Sequence, residues 1–211
     1  MAIPEQIGKY PVLPILNLTN PENALHAAEA LAAGGIEIME VTLRNEDALP
    51  SLEAIRKEFP HFTLGAGTIL NAEQLDRVEN IGVDFGVSPG WDEALWNKAI
   101  EKNFFLIPGI LTPSELNRVL QFECPLIKVF PIQPAGGYPY LHALLAPFRS
   151  LGRKYIPTGG ITPELVSRYL SDPDVLSVGG SWITPSQLLQ TSQFQKITEL
   201  AKSALSFPPL Q

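Results

Sequence analysis

A short apolar run followed by a helix-start signal recurs along this chain. The interval is roughly 20–25 residues, the length of one βα unit with short loops. The runs occupy residues 10–18, 36–43, 62–66, 83–87, 104–107, 126–130, 154–157 and 175–178. Each is too short for a helix and reads as a strand. Helical stretches follow, for example 24–33, closed by Gly34-Gly35, and 46–58, stopped before Pro60. Asn20-Pro21-Glu22 has the order of a helix start: a capping side chain, a proline at the first helical position, an acid in the first turn. Asn71 to Gln74, Thr112 to Glu115 and Thr184 to Gln187 match the capping box, and Thr162-Pro163-Glu164 is a shorter version. Strands alternating with helices demand a parallel sheet. Eight units in 211 residues, with no linker or shift in composition, predict one α/β domain over 1–211, a (β/α)8 TIM barrel. An open doubly wound sheet needs no eighth strand and would carry a glycine-rich loop after strand one. Here strand one ends in Leu18-Thr19-Asn20-Pro21, without glycine.

The sixth run poses the chemical question. Pro125-Leu126-Ile127-Lys128-Val129-Phe130-Pro131 is apolar on both faces, as a strand covered by helices should be, yet it has a lysine in its middle. Lysines are almost never fully buried unless paired or functional. Lys128 is therefore a candidate amine nucleophile. In a barrel the site lies at the C-terminal ends of the strands. On the second strand Glu40, Thr42 and Arg44 share a face, and Met39, Val41 and Leu43 take the other. The apolar set should meet the helices, so Glu40 and Arg44 should point inward near the mouth, where ionised groups need a partner or a substrate. A structural Glu–Arg or Glu–Lys pair is the plain reading. The functional one has Glu40 moving protons beside Lys128 and Arg44 holding a carboxylate in a bidentate fork.

Composition limits the partners. A formal charge of −7 and a pI near 5.0 argue against a general nucleic-acid or membrane-surface role. No apolar stretch approaches ~18 residues, and the N-terminus lacks a basic region before an apolar run. These features predict a cytoplasmic protein. Any anionic ligand must be held by local groups. Thr158-Gly159-Gly160 and Gly179-Gly180-Ser181 close strands seven and eight, where such barrels habitually bind phosphate through backbone N–H groups. Tight turns alone would also explain each glycine pair; two pairs in adjacent units favour phosphate. Other signals carry less. Gly65-Ala66-Gly67-Thr68 lacks the third glycine and acidic ribose reader of a dinucleotide loop. His26, His61 and His142 have no metal-ligand spacing. Cys124 reads as a buried small residue, and Trp91 and Trp96 as exterior packing.

Taken in chain order, Glu40-Val-Thr-Leu-Arg44, Gly65-Ala-Gly-Thr68, Ser88-Pro-Gly90, Ile107-Pro-Gly109, Lys128-Val-Phe-Pro131, Pro157-Thr-Gly-Gly160 and Gly179-Gly-Ser-Trp182 resemble the motifs of the 2-keto-3-deoxy-6-phosphogluconate (KDPG) aldolases. That group includes the 4-hydroxy-2-oxoglutarate (KHG) aldolases. The resemblance spans nearly the whole chain. It implies a class I aldolase, a barrel that forms a homotrimer and releases pyruvate and glyceraldehyde 3-phosphate without metal or organic cofactor. By position, Lys128 would form the Schiff base and Glu40 would be the general acid and base. Arg44 and Thr68 would bind the pyruvate carboxylate, with Pro89 lining that pocket. Gly159, Gly160, Gly180 and Ser181 would hold the phosphate. A phosphate-sugar isomerase would share the barrel and the glycine loops but would not need the lysine. An unphosphorylated or isomeric keto acid is the other substrate reading, and a non-catalytic sugar-phosphate binder the reading outside enzymes. Where the family often has Pro-Ala-Glu, this chain has Pro131-Ile132-Gln133, which bears on substrate preference. The stretch before strand one is short, and Gly136-Gly-Tyr-Pro-Tyr140 has no functional explanation from sequence.

Overall fold

A computed structural model describes residues 2–17 and 20–207. Its strands are β1 (Val12–Leu16), β2 (Ile38–Thr42), β3 (Thr63–Gly67), β4 (Phe85–Val87), β5 (Leu106–Ile107), β6 (Gly109–Ile110), β7 (Leu126–Val129), β8 (Lys154–Pro157) and β9 (Val178–Gly180). The helices are α1 (Ile3–Ile7), α2 (Pro21–Ala33), α3 (Ala48–Glu58), α4 (Ala72–Ile81), α5 (Glu93–Glu101), α6 (Pro113–Val119), α7 (Gly137–Leu145), α8 (Pro163–Leu170), α9 (Ser186–Gln190) and α10 (Phe194–Leu205). A 3-10 helix, Ala146–Leu151, follows α7. Strand and helix alternate as expected, and every ladder is parallel.

The strands make two sheets rather than one closed eight-stranded ladder. Six pair in the order β5-β4-β3-β2-β1-β9 and three in the order β6-β7-β8. One seam falls at Pro108. The fifth run, expected to be one strand, is cut there because proline has no N–H to give to a ladder. Its carbonyl still accepts from Lys128 N at 2.9 Å. Residues before Pro108 pair with β4, and those after it pair with β7. The other seam, between β8 and β9, is closed only by single parallel bridges, Tyr155 with Val175 and Thr158 with Gly179. The eighth strand lies later than the expected 175–178, since Val175 makes only that bridge.

Helix starts follow the sequence closely at three places. Asn20 and Asn71 accept from the N–H groups of Asn23 and Gln74, and Thr112 with Glu115 forms a full capping box. Thr184 does not cap α9. Its hydroxyl donates instead to Ile15 O at 3.1 Å, pinning the loop after β9 to β1. Thr162 occupies its N-cap position, but its side chain bonds the Glu164 carboxylate rather than capping a backbone N–H. Leu18 and Thr19, the expected end of strand one, lie outside the described residues.

Met39, Val41, Leu126, Ile127 and Val129 are fully buried within the core. Cys124 is buried with them, and burial pushes its thiol up to about 12. Trp91, Trp96 and Phe122 pack as a ring cluster over that wall. The Gly136–Tyr140 stretch now has a structural role. Tyr140 Oη donates to Leu111 O at 2.6 Å, and the Tyr138 ring meets Tyr169 edge-on at 5.7 Å. Behind it, Arg149 forks onto the buried Asp172 carboxylate at 2.7 and 2.8 Å and holds that carboxyl below its usual range. No helix among the described residues is long and apolar enough to cross a membrane.

Candidate active site

Lys128 and Glu40 meet across the two sheets. Lys128 stands on β7, its main chain paired with Gly109 on one side and Ile156 on the other. Glu40 stands on β2. Lys128 Nζ lies 3.4 Å from Glu40 Oε1, and the two residues are only 8% and 2% exposed. Burying both charges is costly unless each serves the other or a ligand. The Phe130 ring centroid is 5.3 Å from the ammonium and covers one side of it.

The cavity around this pair has a volume of about 130 Å³. The strand alternation read from sequence holds in detail: Glu40, Thr42 and Arg44 all line it, as do Lys128 and Phe130. Thr68, Gly159, Gly160 and Ser181 line it too. Pro89 and Gly180 do not. The Pro89 backbone packs where a Gly109 side chain would be, and Gly180 is turned toward Val12. Gly179 and Ser181, two apart, are the residues of that strand end facing inward. A roomier groove of about 440 Å³ lies outside, between α3 and α4, and contains no comparable amine–carboxylate pair in a closed setting.

Three glycines shape the site, and the sequence did not announce the part played by the first. Thr42 pairs with Gly67 on β3, and any Cβ on Gly67 would overlap the Glu40 carboxylate. Gly67 therefore makes room for the glutamate. Gly67→Ala should drive that carboxylate away from Lys128 and lower kcat about 100-fold, as a misplacement of about an ångström does. Steady-state kinetics would bear this out, together with a lowered melting temperature from the parted buried pair; full activity would refute it. Gly159 has φ 103° and Gly160 has φ 79°, values that glycine adopts without the penalty of a side chain. Their turn is tied to the lysine strand's continuation by Ile132 N to Thr158 O at 2.9 Å and Gln133 N to Gly159 O at 3.0 Å. Among the described residues the Gly159 and Gly160 N–H groups have no backbone acceptor. Gln133 sits behind this turn, not in the cavity, and its Nε2 donates to Tyr169 Oη at 2.8 Å.

Sequence reasoning missed the lining residues Ile15, Asn17 and Ile161, and it placed Thr42 and Thr158 at the mouth without giving them a role. Asn17 left a signal, since it is the one polar side chain within the apolar run 10–18 and shares parity with Ile15. Among the described residues no group of three or more His, Cys, Asp or Glu could hold a metal ion.

This geometry can do amine chemistry on a carbonyl: a buried lysine as nucleophile, a carboxylate in contact as proton carrier, an arginine at one end, and a glycine turn with free N–H groups at the other. Comparison with known proteins points the same way. The family described as "Aldolase: KDPG and KHG aldolase" matches residues 3–200. The KHG/KDPG aldolase of Escherichia coli (strain K12) is 41% identical over 195 residues, covering 92% of this chain and 91% of the relative. The 2-dehydro-3-deoxy-phosphogluconate aldolase of Pseudoalteromonas atlantica is 41% identical over 196 residues, covering 93% and 90%. Among solved structures, the KDPG aldolase of Legionella pneumophila, with pyruvate captured at low pH as a covalent carbinolamine, has a TM-score of 0.92 and 37% identity over 97% of this chain and 98% of that one. The aldolase of Zymomonas mobilis ZM4 with 3-phosphoglycerate gives 0.88 and 37%, over 97% and 95%. The chain belongs to the KDPG and KHG aldolase family.

Proposed function

We propose that this protein is a Schiff-base aldolase that cleaves 2-keto-3-deoxy-6-phosphogluconate to pyruvate and glyceraldehyde 3-phosphate. The contact of the buried Lys128 with the buried Glu40 in the wall of the cavity carries the reading. The Lys128 amine adds to the C2 ketone and gives a carbinolamine. Loss of water, with Glu40 supplying the proton, leaves an iminium ion. Glu40 then takes the C4 hydroxyl proton. The C3–C4 bond breaks, its electron pair moves into the iminium to form an enamine, and the aldehyde departs. Protonation at C3 by Glu40 and addition of water release pyruvate and restore the amine. Arg44 and Thr68 hold the carboxylate. Gly159, Gly160 and Ser181 hold the phosphate through N–H and hydroxyl donors, and Gly180, turned outward, only carries the strand to Ser181. The carbinolamine in the Legionella relative and the phosphorylated acid in the Zymomonas one support both halves of this reading.

The test uses pyruvate and borohydride. Reduction should fix a pyruvyl adduct, and peptide mapping should place it on Lys128; an unmodified Lys128 would sink the Schiff-base mechanism. Cleavage should fall steeply when the 6-phosphate is removed. Cleavage of 4-hydroxy-2-oxoglutarate is a second activity, favoured by the dual name of the Escherichia coli relative.

Thr68 offers a separate check. Its φ of 62° is strained for a β-branched residue, by about 1–3 kcal/mol. Thr68→Gly relieves that strain against about 1 kcal/mol of added chain entropy. The melting temperature should hold or rise while KM for pyruvate in condensation rises several-fold. A loss of stability with unchanged KM would refute a binding role for the hydroxyl.

The two sheets are best taken as the wall of a (β/α)8 barrel. Joining β5 and β6 through Pro108 gives eight units, and each seam is bridged. A single domain over 1–211, a homotrimer and a cytoplasmic setting belong to the same proposal and rest on the family resemblance.

A further inference from the structure

Asn17 lies just past β1 and lines the cavity beside Ile15. In the six-stranded sheet β1 runs between β2 and β9. β2 and the residues after it supply Glu40, Thr42 and Arg44; β9 and the residue after it supply Gly179 and Ser181. Asn17 therefore stands on the rim between the carboxylate end and the phosphate end. The Thr42 hydroxyl lies 2.6 Å from Asn17 Oδ1 and 3.2 Å from Leu16 O. It has one proton, and the shorter contact takes it. The Asn17 amide oxygen is thus occupied, while its Nδ2 has no partner among the described residues. A half-buried asparagine whose amide nitrogen has two unused N–H donors, in the wall of a reaction cavity, is suited to a hydroxyl acceptor.

We propose that Asn17 is a specificity-determining residue that donates from Nδ2 to the C5 hydroxyl of the keto acid. This rests on the aldolase reading of the site. With C1 at Arg44, C2 on Lys128 and the phosphate at Gly159 and Ser181, the C4 and C5 hydroxyls fall between. Glu40 serves the C4 hydroxyl in bond cleavage, which leaves the C5 hydroxyl for the end of β1. That hydroxyl is the 2-hydroxyl of the aldehyde product. Asn17 would thus select α-hydroxy aldehydes over their 2-deoxy counterparts.

The condensation direction tests this directly. Pyruvate is offered with D-glyceraldehyde 3-phosphate or with 3-phosphooxypropanal, which lacks the 2-hydroxyl. The parent should prefer the hydroxylated aldehyde in kcat/KM by about tenfold, the scale of one hydrogen bond to an uncharged group. Asn17→Ala should lose that preference. Asn17→Leu, which fills the same space with neither donor nor acceptor, should lose it too. Borohydride trapping with pyruvate alone should stay within about twofold of the parent in both variants, because pyruvate has no atom at that position. Removing Asn17 orphans no buried donor, since Thr42 can turn to Leu16 O. A preference retained in Asn17→Ala overturns the proposal, and so does loss of trapping, which would make Asn17 a support for the lysine. A parent that forms no Lys128 adduct and condenses neither aldehyde overturns the aldolase reading itself. A parent that traps pyruvate but accepts both aldehydes equally overturns only the role of Asn17.

Discussion

Lys128→Ala abolishes cleavage, with kcat/KM falling at least about 10⁴-fold, or ~5.5 kcal/mol of transition-state stabilisation. No other side chain in the cavity is an amine: the Arg44 guanidinium serves as a hydrogen-bond donor. Without the lysine there is no iminium, so the electrons of the C3–C4 bond have no sink. The adduct with pyruvate and borohydride should vanish with turnover. The variant also has a structural cost. Glu40, 2% exposed, loses its cationic partner, and breaking a buried pair from one side costs about 3–5 kcal/mol. The melting temperature should therefore drop. The double variant Lys128→Ala with Glu40→Gln should recover much of it, since no buried charge is then left unmatched. A single variant that melts like the parent would mean that water reaches the carboxylate through the cavity. Residual cleavage above one part in about 10³ would count against the mechanism.

Glu40→Gln should lower kcat by about 10²–10⁴-fold, the range for losing a positioned acid–base group. The amide oxygen can still accept from Lys128 Nζ across 3.4 Å, so the lysine keeps a partner and the fold should hold. Adduct formation should slow but persist, because amine addition does not require the carboxylate. Exchange of the pyruvate methyl protons with deuterium isolates the step: the enamine forms only if a base removes a C3 proton. NMR should show exchange in the parent and nearly none in Glu40→Gln. Undiminished exchange would assign the proton transfer to another group.

The three charged residues were legible in sequence because strand alternation is a strict rule. Once 36–43 was a strand, Glu40 and Arg44 had to share a face, and a lysine between Leu126 and Phe130 had to be buried. What the sequence hid depends on neighbours across the sheet. Gly67 looked like one of several mouth glycines; its role appears only when the register sets it beside Thr42, under the Glu40 carboxylate. Gly180 and Pro89 matched a motif, yet parity turns Gly180 outward, and the Pro89 backbone is spent on Gly109. Thr184 had the composition of a cap, but a buried β1 carbonyl claimed its hydroxyl. Asn17 is hidden in sequence because the apolar run continues to Leu18, whereas β1 has only five residues and ends before it.

The reacting pair straddles the join between the two sheets, lysine on the three-stranded side and glutamate on the six-stranded side. Neither sheet holds the chemistry by itself. An ångström of slippage between them costs on the order of a hundredfold in rate, long before it costs the molecule its shape. Turnover in this enzyme is thus a gauge of how well its halves are seated. Substitutions far from the cavity that loosen the Pro108 crossing or the Thr158–Gly179 bridge would register first as slow enzyme, in a protein that still looks whole.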